Sequence, residues 1–154
     1  MAKVEPIPSG YPRVMPYLSI DGAAAAIDFY KTVFDAVERV RMNAPGGKIG
    51  HAELDIGGSI VMLADAFPEM GGKTPQMLGG TPVSMMIYVE DVDNVFKNAL
   101  MNGATEMRPV ENQFYGDRAG QFADPFGHHW FIATHVEDVP EDEMMRRAQE
   151  MMGG

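Results

Sequence analysis

The sequence predicts an α+β fold: one βαβββ module used twice in tandem, followed by a short C-terminal helix. Three observations carry this. The first is a self-match at a fixed spacing. Leu18 and Ile20 in Tyr17-Leu18-Ser19-Ile20-Asp21 correspond to Ile87 and Val89 in Met86-Ile87-Tyr88-Val89-Glu90, and 87 − 18 = 69. Asp55-Ile56-Gly57-Gly58 meets Asp124-Pro125-Phe126-Gly127 at the same spacing (124 − 55), and Ala64 meets Ala133. One spacing kept over such a distance argues for duplication. The second observation is that each half runs through the same order of hydrophobic periods, a strand, a helix and three strands. The third is composition: 154 residues, 45% hydrophobic and 22% charged, suit one globular domain with a sizeable core.

The elements follow in order. Residues 14–20 are β-branched and apolar, hence a strand. Asp21 suits a helix N-cap, and Ala23, Ala26, Ile27, Tyr30 and Phe34 recur at helical spacing. Residues 37–42 form a second strand, Pro45-Gly46-Gly47 a turn, and residues 48–56 alternate as a third strand. Gly57-Gly58 is a tight hairpin turn into a fourth strand, residues 59–65. In the second half, residues 83–89 are a strand, Asp91 caps a helix over 92–101, and Asn102-Gly103 stops it. Strands at 105–110, 118–123 and 128–135 complete the repeat. The modules thus span 13–66 and 82–138 within a single domain of 1–154, with a tail at 139–154. The intervening stretch 66–82, rich in Gly, Pro and Met, is either a linker or a flap over a site. After Pro140, Met144, Met145, Met151 and Met152 mark an amphipathic helix that packs either on its own domain or on a second copy.

Composition removes several function classes. With no cysteine there are no disulfides, thiolate metal sites or Cys nucleophiles. A net charge of −10 without a basic stripe argues against nucleic acid, because phosphate contacts need clustered cations. It speaks first for a soluble surface, and secondly for attraction of cationic small molecules. No apolar run has the length of a membrane helix. The proline-scattered Met1 to Pro16 does not read as a signal peptide, and a cytoplasmic location is expected. No P-loop, dinucleotide fingerprint or nucleophile elbow is present, so no cofactor is expected.

Several motifs then carry a family resemblance. They are Pro16-Tyr17-Leu18; Asp21-Gly22-Ala23-Ala24-Ala25-Ala26-Ile27-Asp28-Phe29-Tyr30; Gly50-His51-Ala52-Glu53-Leu54; Gly79-Gly80-Thr81-Pro82-Val83-Ser84; Val89-Glu90-Asp91-Val92-Asp93; Tyr115-Gly116-Asp117-Arg118; and Asp124-Pro125-Phe126-Gly127-His128. Together they resemble the PhnB-like branch of the glyoxalase/bleomycin-resistance/dioxygenase family, the vicinal oxygen chelate (VOC) superfamily. The resemblance implies that the two modules form curved mixed sheets around a cleft and that the chain pairs as a homodimer. It implies a small-molecule-binding function, either metal-independent and bleomycin-resistance-like, or that of a lyase or isomerase acting on a small oxygenated substrate. Metal-using members place His or Glu on the first and last strands of each module. Here those positions fall at Pro16, Ser84, about Met62 and Phe131, so no metal is expected.

Candidate site residues follow from strand parity. His51, Glu53 and Asp55 alternate and share one face, while Ala52, Leu54 and Ile56 share the other. His51 and Glu53 are therefore expected to face the cleft, either as a general base with its orienting carboxylate or as a structural pair. Arg118 falls on the matching strand (118 − 49 = 69), where it either approaches the cleft and holds an anionic group or pairs with an Asp at a surface turn. Tyr115 is expected to stack on a ligand, and Phe122 and Phe131 have the parity of cleft residues. Tyr88, Met62 and His129 complete the expected ligand-binding set. His128 and His129 are neighbours on a strand and point to opposite faces, so they do not share an ion.

Overall fold

The computed structural model describes residues 3–153. Met1, Ala2 and Gly154, the ends of the expected 1–154 domain and 139–154 tail, lie outside them. The chain divides into two compact units, residues 1–79 and 80–154, and each holds one four-stranded mixed sheet with a helix on one face. Each unit is a βαβββ module, and the fold is that of the tandem glyoxalase/VOC class.

In the first module β1 (Tyr17–Ile20) leads through α1 (Ala23–Phe34) to β2 (Val37–Ala44), β3 (Lys48–Ile56) and β4 (Ser59–Asp65), with sheet order β1-β4-β3-β2. β1 and β4 run parallel and the other pairs are antiparallel. α1 forms because its apolar residues fall at helical spacing, and Ala23, Ala26, Ile27, Tyr30 and Phe34 are all buried, as that spacing predicts. They pack on Leu18, Ala52, Leu54 and Leu63 of the sheet, all buried. Asp21 was expected to cap α1, and the structure corrects this. Gly22 is the N-cap, in the left-handed region that favours glycine, and the cap is supplied from a distance. Asp65 Oδ1 accepts from the Gly22 and Ala23 N–H groups, both at 3.0 Å, and Oδ2 accepts from Ile49 N–H at 2.7 Å.

The segment 66–82 is not featureless: it contains a one-turn helix, α2 (Pro75–Leu78), capped by the Thr74 hydroxyl.

The second module runs β5 (Ser84–Tyr88), α3 (Val92–Met101), β6 (Thr105–Asn112), β7 (Asp117–Ala123) and β8 (His129–His135), in sheet order β5-β8-β7-β6. Asp91 caps α3 as expected, by accepting from Asn94 N–H at 3.1 Å. The internal repeat holds in the pairing. Tyr17 stands opposite Met62, and Met86 opposite Phe131, both 69 residues later. It breaks by one residue in β7. Glu53 pairs with Met62, but Phe131 pairs with Gln121, which is 68 after Glu53. The hairpin between Ile56 and Ser59 has two loop residues, whereas that between Ala123 and His129 has five. The longer loop changes the register, and a one-residue slip sends every β7 side chain to the opposite face.

Finally α4 (Glu141–Gly153) follows Pro140. It buries no residue, and Met145, Met151 and Met152 remain exposed. It is held by Arg147, which donates to the Phe114 carbonyl at 3.0 Å and pairs with Glu137 at 2.9 Å.

Candidate functional site

In the first module, β3 puts Ala52, Leu54 and Ile56 toward α1 and leaves His51, Glu53 and Asp55 on the other, open face, as the alternation predicts. Glu53 is buried, yet every polar bond it needs is made. Oε1 accepts from the Tyr11 hydroxyl at 2.6 Å and Oε2 contacts His51 Nε2 at 2.7 Å. These two bonds, that from Tyr11 foremost, hold the Glu53 carboxyl below its ordinary 4.5, so it is a carboxylate near neutrality. A carboxylate only accepts, so Nε2 carries the hydrogen. The other ring nitrogen, Nδ1, lies 2.7 Å from the Tyr17 hydroxyl. The result is a line of four groups, Tyr17–His51–Glu53–Tyr11, on one sheet face. The Tyr11 phenol is raised above 10.0 chiefly by its bond to Glu53, and that of Tyr17 chiefly by burial.

A pocket of about 550 Å³ opens over this face. Glu53 and Met62 form its floor, and the proline-rich segment before β1 forms its walls with Ile7, Tyr11, Arg13 and Met15. The volume lies within the ordinary range of small-molecule sites, which are mostly apolar with a few polar groups. The Arg39 guanidinium stands over the Tyr11 ring, 5.7 Å from its centroid.

The open face of the second module carries Asp117, Ala119 and Gln121 of β7, His129, Phe131 and His135 of β8, and Tyr88 of β5. Asp117 is buried, accepting from the Tyr88 hydroxyl at 2.7 Å and contacting His135 Nδ1 at 2.8 Å; His135 Nε2 reaches Asp138 at 2.7 Å. Asp117, and next Asp138, raise the His135 imidazole above 6.5. A second pocket, about 280 Å³, is lined by Arg108, Glu111, Gln113, Tyr115, Ala119 and Phe131 among others.

Two parity expectations fail here. Phe122 does not lie on the open face. It is fully buried against α3, with its ring 5.8 Å from that of Phe96. Arg118 lies on the same helix-facing side, its guanidinium gripping Asp93 of α3 at 2.8 and 2.9 Å and reaching Asn112 at 3.2 Å. Both errors have one cause, the five-residue hairpin that shifts β7 by a residue. Of the other expected residues, His51, Glu53 and Met62 gather on the first module's open face. Tyr88, His129 and Phe131 gather on the second module's open face, and Tyr115 joins Phe131 at its pocket. Tyr11, Tyr17, Asp117 and Gln121 escaped sequence reasoning. Tyr11 sits in a segment with no periodicity, and Asp117 reads as a turn residue after Gly116. The usable signal was the parity of β7 counted from its partner Phe131, which points to Asp117 and Gln121.

The residues do not fit the divalent ion that the resemblance implies for metal-using members. Pro16 and Phe131 offer no donor atom, Met62 only a thioether and Ser84 only a hydroxyl. Among the described residues no three His, Asp or Glu side chains gather as a metal-holding group.

Two βαβββ modules with polar groups and a pocket on an open sheet face are the architecture of the glyoxalase type. Residues 13–132 match the Glyoxalase/Bleomycin resistance protein/Dioxygenase superfamily, and the chain belongs to it. The Mycobacterium tuberculosis protein Rv0887c is 52% identical over 136 residues, covering 86% of this chain and 80% of that protein. Among solved structures, TioX from Micromonospora sp. ML1 superposes with a TM-score of 0.62 at 26% identity, covering 84% of this chain and all of that one. The PhnB protein of Bacillus cereus shares the fold, with a TM-score of 0.61 at 20% identity over 80% of this chain and 99% of that one.

Proposed function

We propose that this chain is a small-molecule-binding protein of the bleomycin-resistance kind, working without a metal, whose ligand lies in the first module's pocket. One observation carries the reading: a buried carboxylate, Glu53, sits at the floor of an otherwise largely apolar pocket. A carboxylate in such a place is costly unless paired. Glu53 meets that cost with Tyr11 and His51 and keeps its charge. The site therefore suits an aromatic or aliphatic molecule that carries a cationic or hydrogen-bond-donating group to Glu53. The PhnB-like branch, a homodimeric assembly and a cytoplasmic setting belong to the same proposal; the sequence motifs support the first and the family resemblance the second. No helix among the described residues is long and apolar enough to cross a membrane.

Calorimetry of the purified protein against bleomycin-type glycopeptides and a panel of small metabolites tests the reading. Saturable binding that Glu53→Ala abolishes is the expected result; no binding across the panel, or binding indifferent to Glu53, overturns it.

The Tyr17–His51–Glu53 line favours a second reading, a lyase or isomerase that draws a proton from a small oxygenated substrate. His51 is the base and Glu53 its orienting partner. Both His51 nitrogens are engaged, so a substrate must replace the Tyr17 hydroxyl at Nδ1 before His51 takes its proton. Turnover of a panel of such substrates, lost in His51→Ala, supports this reading; turnover unaffected by the substitution removes it.

A further inference from the structure

We propose that the second module carries a binding site of its own, selective for a planar aromatic carboxylate, with Arg108 as the group that holds the carboxylate. The site is the 280 Å³ pocket on that module's open face. Its lining residues all belong to the second module.

The argument begins with charge. The chain has 22 acidic residues against 12 basic ones, so an arginine has many carboxylates to choose from. Arg41 pairs with Glu38, Arg118 with Asp93, Arg146 with Glu143, and Arg147 with Glu137 and Glu143. Arg13, Arg39 and Arg108, by contrast, have no ion pair or side-chain hydrogen bond among the described residues, and of these Arg108 is the one that lines the second module's pocket. An unpaired guanidinium in so acidic a protein keeps its planar fork of donors free for a carboxylate.

The surroundings of Arg108 set the rest of the ligand. Phe131 and Tyr115 line the same pocket and offer ring faces, with Ala119 leaving space between strands. The Arg108 charge is close enough to the Tyr115 phenol to act against the burial and the Asp117 charge that raise it. Guanidinium and aromatic surface are therefore neighbours. Glu111 also lines the pocket, without an ion pair among the described residues, so an anion binds there with its carboxylate directed to Arg108 and away from Glu111. Arg118 faces the helix and is spent on Asp93, and His135 is held between Asp117 and Asp138, so Arg108 is the unpaired cation lining this pocket. A flat acid laid along Phe131 and Tyr115 brings its carboxylate to the guanidinium fork and its ring to apolar surface.

The test uses the full chain, isotope-labelled for NMR, with 2-naphthoate as probe and 2-naphthamide as its uncharged counterpart. Naphthoate is expected to shift the signals of Ala119, Tyr115 and Phe131 and the Arg108 Nε–H, and to bind at least tenfold more tightly than naphthamide. Arg108 is exposed, so Arg108→Gln leaves the fold intact and should reduce naphthoate to the level of the amide. Equal binding of the two probes, or naphthoate binding unchanged in Arg108→Gln, overturns the proposal. Shifts confined to Tyr11, Glu53 and Met62 also overturn it, while leaving the first module's pocket as a site.

Discussion

Asp65 and Thr134 lie 69 residues apart, at corresponding places in the two modules, and perform the same task. Asp65 Oδ1 accepts the Gly22 and Ala23 N–H groups where α1 begins, and Thr134 Oγ1 accepts the Val92 N–H where α3 begins, at 2.9 Å. In each case the last strand of the module reaches across to satisfy a helix start that has no partner within the helix. Asp65 also holds Ile49 N–H, whereas Thr134 donates to the Val89 carbonyl at 2.8 Å. Asp65→Ala therefore frees three backbone donors and Thr134→Ala only one. The first should cost about 2–3 kcal/mol and the second about 1 kcal/mol, read from urea unfolding midpoints.

Phe122 and Phe131 separate stability from binding. Phe122 is fully buried against Phe96, so Phe122→Ala should destabilise the protein by about 3–5 kcal/mol. Phe131 is half-buried on the open face, and Phe131→Ala should cost less than half as much in the same unfolding experiment. If it matches the cost at Phe122, the assignment of the two faces of this sheet is wrong.

His135 links pH to the second module. Its folded value is raised, so folding favours the imidazolium held between Asp117 and Asp138. That contribution is complete below the ordinary value of 6.5 and disappears as pH rises through the higher folded value. The melting temperature should therefore fall on going from pH 6 to the weakly alkaline range, and His135→Asn should flatten that part of the profile. An identical profile in the variant would remove His135 as the cause.

Gly116 has a φ of +101°, and a Cβ there would overlap the Glu137 carbonyl. The Gly116 carbonyl meanwhile receives the Val136 and Glu137 N–H groups at 2.9 and 3.0 Å. Gly116→Ala must strain the backbone and push the 136–139 segment away, at a cost of more than about 2 kcal/mol. Hydrogen exchange should show protection lost first at Val136 and Glu137.

Much of the fold was legible because its signals are local. Ala23, Ala26, Ile27, Tyr30 and Phe34 specify α1 through their own spacing, and His51 and Glu53 announce their shared face by alternation. Contacts between distant segments were not legible. Nothing in Asp65 or Thr134 tells that they cap helices some forty residues earlier in the chain. Tyr11 finds Glu53 only because the chain before β1 crosses the sheet, and no period marks that path. The Tyr88–Asp117–His135–Asp138 cluster draws on the ends of three strands, β5, β7 and β8, and on the loop after β8. The parity of β7 failed for a different reason. A repeat read at a constant spacing assumes equal turns, and the turn is where the modules differ.

That difference in turns has an evolutionary consequence. Re-pairing the two strands by one residue leaves the composition and the number of residues between them untouched but turns one strand over, so positions that face the interior in one module become lining in the other. A duplicated module can in this way acquire a new binding surface by a slip in register. Substitutions would then need only to refine a face that the slip had already exposed.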